Sequence, residues 1–187
     1  MRKSVEKLQR RLITELTNAV TQAIAVPAQP KIIFETLCQA MSKRRGRPVL
    51  LILRGFPEEL ANTTTGLWLD LEDQDVIVIE EKLDPDHQLV VLGHEFWHMS
   101  AGHCGHDLDG TAVAARAALT EEVDWELARR VATRTHSHTE DELSAEGFGL
   151  LMGSRMKAWL AGPDTLQDLD DVARRISASL GYRGLQG

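Results

Sequence analysis

Five consecutive residues, His94, Glu95, Phe96, Trp97 and His98, carry the most specific chemistry in this 187-residue chain. Two histidines four positions apart in a helix lie one turn apart on the same face. Both imidazoles can then reach one zinc ion at about 2.0–2.1 Å without bending the backbone. Glu95 follows the first histidine and projects beside such an ion. There it can take a proton from water and return it to a leaving amine, acting as a base and not as a ligand.

A catalytic zinc takes a third protein ligand and keeps one position open. The pattern H-E-x-x-H-x-x-G-x-x-H is excluded, because Ala101 stands where Gly is needed and Cys104 where the third His is needed. Further on, Glu142 and Glu146 share one helical face with Gly149 and Gly153, a stripe without bulk that lets another helix approach closely. The expected partner is the His94–His98 helix. Glu142 is then the third ligand and Glu146 an acceptor for a ligating imidazole, with exchange of the two roles left open. Glu140 and Asp141 are read as compensating the positive helix N-terminus. Cys104 or His106 in place of Glu142 would give a more closed site. The group that steadies the developing oxyanion is not identified: Tyr182 lies near the chain end, which leaves His103, His106, His136 and His138. Of these, His103 is the candidate beside the ligands.

The surrounding pattern supplies the elements that must hold these groups. Leu8, Leu12, Leu16, Ala19, Val20, Ala23 and Ile24 recur at helical spacing over Val5 to Ile24, ended by Pro27 and Pro30. A second helix is expected from Lys31 to Lys43, stopping near Gly46 and Pro48. Strands follow at Val49–Leu53, Gly66–Leu71 and Asp75–Glu80, the last two joined by the polar turn Glu72, Asp73, Gln74 as a hairpin. Asp84 is the expected side-chain cap of the next helix, with Pro85 in its first turn and Gly102 as its stop. Ala112–Ala118 reads as a short helix, and Thr139–Leu160 as a long one opened by a Thr139/Glu142 capping box. Gly162 and Pro163 separate this from a final amphipathic helix over Asp164–Leu180. The expectation is one domain: N-terminal helices over 1–46, a core over 47–161 and a C-terminal helix over 162–187.

Composition narrows the class. The chain is 43% hydrophobic and 26% charged, ordinary for a globular domain and inconsistent with overall disorder. A net charge of −7 argues against direct nucleic-acid binding, and the run Lys43, Arg44, Arg45, Arg47 is read as a solvated turn. Two distant cysteines, Cys38 and Cys104, make no disulfide framework and fit a reducing cytoplasm. Residues 1–16 lack the apolar core of a signal peptide, and no run approaches membrane-spanning length.

Two stretches, Leu92–His103 (LGHEFWHMSAGH) and Glu142–Met152 (ELSAEGFGLLM), resemble the ImmA/IrrE-type metallopeptidase domain family, which includes actinobacterial members described as toxin components of toxin-antitoxin systems. The likeness spans about Val49 to Leu160. Glu146 departs from the Asn or Asp usual in the family pattern, and Gly149 from the usual Ala. The resemblance implies a gluzincin-like, zincin-like α+β fold, and the strands read above are expected to form a three-stranded, mostly antiparallel sheet packed on a helical bundle that contains the HExxH helix. It further implies zinc held by His94, His98 and Glu142, Glu95 as catalytic base, and cleavage or inactivation of a partner regulator with a helix-turn-helix domain, often encoded next door. The alternative is a non-catalytic, zinc-stabilised module that binds such a regulator.

Overall fold

In the computed structural model, residues 2–25, 27–58, 64–102 and 139–179 are described, with side chains from Ser4 to Leu160 within those ranges. They form α1 (Arg2–Ala23), α2 (Pro30–Arg45), β1 (Val49–Arg54), β2 (Gly66–Asp70), β3 (Asp75–Glu80), α3 (Pro85–Ala101) and α4 (Thr139–Ser179). His103, Cys104, His106, His136, His138, Tyr182 and the expected 112–118 helix lie outside the described residues.

The sheet is mixed, in the order β1-β3-β2. β2 and β3 pair antiparallel as the hairpin expectation requires, with Leu67 opposite Val78 and Leu69 opposite Val76. β1 pairs with β3 in parallel, Leu50 opposite Val76 and Ile52 opposite Val78, which corrects the mostly antiparallel expectation. The reason lies in β3, whose Val76, Ile77, Val78 and Ile79 are all buried. A strand apolar on both faces belongs in the middle of a sheet, so β1 takes its open edge and not that of β2. Trp68, Ile77 and Ile79 face a helical core built from Leu12, Leu16, Phe34, Leu37, Leu92, Phe96, Trp97 and Phe148.

The basic run is not a solvated turn. Asp75, fully buried at the start of β3, accepts hydrogen bonds from Arg45 Nε (2.9 Å), Arg47 Nε (2.8 Å) and Trp68 Nε1 (2.9 Å). Arg47 also pairs with Asp70, and Arg44 pairs with Glu15 of α1 at 2.7 Å. A buried carboxylate needs both charge and donors around it, and Arg45 at the end of α2, Arg47 just beyond it and Trp68 of β2 supply them. Hydrogen bonding to Asp75 raises the pKa of Arg47 despite the opposing effect of burial.

α4 corrects a second expectation. It runs unbroken through Gly162 and Pro163, where a helix end was expected. Proline has no N–H to give the carbonyl four residues back, here that of Trp159. The Ala28 N–H, in the connection between α1 and α2, donates to that carbonyl at 3.0 Å. Tertiary contact thus satisfies the acceptor the proline leaves open.

Candidate metal centre

α3 starts and stops where the sequence places its signals, although its N-terminus is held differently. The Asp84 side chain makes no capping bond; its carbonyl accepts the N–H groups of His87 and Gln88, each at 2.9 Å. Gly102 closes the helix in the left-handed conformation (φ 74°), which only glycine adopts freely, and its N–H donates to the His98 carbonyl. On this frame Leu89, Leu92, Phe96 and Met99 are buried, and Trp97 stacks on Phe148 of α4 with ring centroids 5.5 Å apart. That burial fixes the rotation of the helix and sends His94 and His98 toward α4.

The two helices run antiparallel and nearly touch. A Cβ on Gly149 would lie 2.5 Å from the Val90 carbonyl oxygen and 3.2 Å from the His94 nitrogen, and one on Gly153 would press into Val90. The small-residue stripe therefore does face the HExxH helix. Gly93, not singled out from sequence, is the matching small residue on α3: its Cβ would sit 3.0 Å from Gly149 Cα.

This approach brings three donors together. His94 Nε2 and His98 Nε2 are 3.0 Å apart; Glu142 Oε1 lies 3.3 Å from His98 Nε2, and Glu142 Oε2 lies 3.5 Å from His94 Nε2. Donors at about 2.0–2.1 Å from a tetrahedral zinc stand about 3.3–3.4 Å from one another. The observed separations bracket that value, so these residues could hold such an ion. His98 is fully buried and His94 and Glu142 are half-buried, leaving one side open to a cleft.

The cleft, about 280 Å³, is lined by Thr64–Gly66 at the start of β2, by His87, Val90, Val91, His94 and Glu95 of α3, and by Glu142 and Glu146 of α4. Glu95 is 2% exposed, and its Oε2 has no hydrogen-bond partner among the described residues. Burial, and secondly the nearby Glu142 carboxylate, push its pKa up to about 8. Gly66 keeps the strand close to this side chain: a Cβ there would overlap Val91 and lie 3.0 Å from Glu95 Oε1.

Of the two acidic residues on α4, Glu142 joins the histidines while Glu146, one turn on, is exposed on the cleft wall outside the three-residue group. His87 is a cleft residue the sequence reading passed over. Its signal was available, since it precedes His94 by seven positions, two turns on the same helical face.

Fold and site together define an α+β domain with a His94–His98–Glu142 group able to hold a metal ion. Among the described residues no helix is long and apolar enough to cross a membrane. Compared with protein-family models, curated proteins and solved structures, the chain finds no match.

Proposed function

We propose that this chain is a zinc-dependent metallopeptidase of ImmA/IrrE type that cleaves or inactivates a partner regulator protein, such as an antitoxin or stress-response regulator with a helix-turn-helix domain. The supporting observation is the buried Glu95 carboxylate, with an oxygen lacking a partner among the described residues, in the same cleft as His94 and Glu142. A purely structural zinc site has no use for a base at that position, and burying one is costly.

A zinc ion held by His94, His98 and Glu142 would supply Lewis acidity toward a peptide carbonyl and acidify water. Glu95 handles the proton. Its Oε2, without a partner among the described residues, would accept one from the attacking water and return it to the leaving amine. Val90 and Val91 form an apolar part of the cleft wall, and Thr64–Gly66 bring strand backbone to its rim.

The test uses zinc-loaded full-length protein and a candidate regulator with a helix-turn-helix domain, sought first among the neighbouring genes. Wild type should cut the regulator, and Glu95→Gln should keep the fold and zinc yet lose cleavage by about a thousand-fold or more. A Glu95→Gln protein that still neutralises the regulator in cells would replace the peptidase with the zinc-stabilised binding module.

A further inference from the structure

Three carboxylates, Glu95, Glu142 and Glu146, line the cleft, and among the described residues no lysine or arginine does. A divalent ion on His94, His98 and Glu142 brings two positive charges to face Glu142 and Glu95. The charge of Glu146 is then left over. Glu146 is exposed, makes no hydrogen bond or ion pair with the described residues, and stands outside the His94–His98–Glu142 group. Yet it stands one turn from Glu142, on the part of α4 that runs along α3 between His94 and Val90. A substrate side chain flanking the bond held at the metal would meet this carboxylate within a cleft whose remaining described wall is Thr64–Gly66, His87, Val90 and Val91.

Resting on the peptidase function above, we propose that Glu146 is a specificity-determining residue: the cleft selects peptide segments that carry a lysine or arginine beside the scissile bond, and Glu146 pairs with that cation. Position decides this. A cation bound there loses only part of its hydration, and the pair stays screened by salt, so selection is moderate and falls as ionic strength rises.

The experiment uses zinc-loaded full-length protein and short fluorescein-labelled peptides of neutral sequence that differ at one central residue, Lys, Gln or Glu. Binding is read by fluorescence anisotropy in the Glu95→Gln protein, and cleavage in the protein with Glu95 intact. The lysine peptide should bind about three- to five-fold tighter than the glutamine peptide, the scale of an exposed ion pair, with the glutamate peptide weakest. Adding Glu146→Gln should level the series, and Glu146→Lys should reverse it, with zinc stoichiometry unchanged in both. Equal binding of the three peptides, a lysine preference that survives Glu146→Gln, or zinc lost from that variant would each overturn the proposal. The charge order without any cleavage would remove the peptidase function while leaving the selection intact; cleavage without the charge order would do the reverse.

Discussion

Gly93 and Gly149 meet backbone to backbone: a side-chain carbon on the first would stand 3.0 Å from the Cα of the second. This crossing sets how far α3 stands from α4, and with it whether the Glu142 carboxylate reaches the two imidazoles. The metal-binding geometry is thus governed by residues that bear no ligand.

Gly149→Ala should therefore impair the site from a distance. The new methyl group would press on the Val90 carbonyl and the His94 nitrogen, backbone atoms that yield only if α3 shifts. The expected loss is about 1–3 kcal/mol of stability, as for overpacking elsewhere. Zinc affinity, measured by chelator competition, should fall about ten-fold or more, as for disturbed supports of metal ligands. Gly147→Ala is the control, since its Cβ would meet nothing within 4 Å. It should gain up to about 1 kcal/mol from helix propensity.

Removing a ligand separates the two glutamates of α4. Glu142→Ala should purify with little zinc by metal analysis, whereas Glu146→Ala should retain wild-type stoichiometry, because only Glu142 stands within reach of both imidazoles.

The raised proton affinity of Glu95 predicts a pH-dependent cost in metal-free protein. Its pKa is pushed from 4.5 to about 8, so the favourable protonated state is fully present below about 4.5 and stability is lost as pH rises toward 8. Glu95→Gln mimics the protonated form. Its advantage over wild type in urea denaturation should be small at pH 4 and reach a few kcal/mol by pH 9. An advantage independent of pH would contradict the assigned burial.

Glu80 acts with the opposite sign. It is buried, and although burial alone would raise its pKa, hydrogen bonds from the N–H groups of Lys82 and Phe56 win and lower it below 4.5. Stability from this group is present above about pH 4.5 and disappears as pH falls through the lowered value. Glu80→Gln should be less stable than wild type at pH 7, and thermal denaturation should show the gap closing in acid.

Asp75→Asn should be among the most damaging single changes. It leaves Arg45 and Arg47 without the buried charge they surround, and breaking such a cluster costs about 3–5 kcal/mol. Thermal melts of wild type and variant would measure it.

Much of the fold and site was legible along the chain. Apolar spacing gave α1, α2 and α3, and glycine stops with alternating strands placed most boundaries, because these depend on local sterics and local burial. The i,i+4 spacing of His94 and His98 is a property of one helix and needs nothing else. The face of α4 that carries Glu142 and Glu146 was legible because Gly149 and Gly153 marked it as the one that could come close.

Long-range decisions were not legible. Which edge of β3 receives β1 depends on the burial of both faces of β3, not on a pattern within β1. Arg45 and Arg47 look like surface charge until Asp75, 28 residues or more away, is seen beneath them. Pro163 ends a helix in sequence, yet α4 continues, and the Ala28 N–H from another part of the chain bonds the Trp159 carbonyl that the proline leaves open. Sequence alone determined which chemistry was available, since residue type and helical period fix what His94, Glu95 and His98 can do. Only tertiary structure decided which carboxylate joins them, because the choice between Glu142 and Glu146 depends on where two backbones cross.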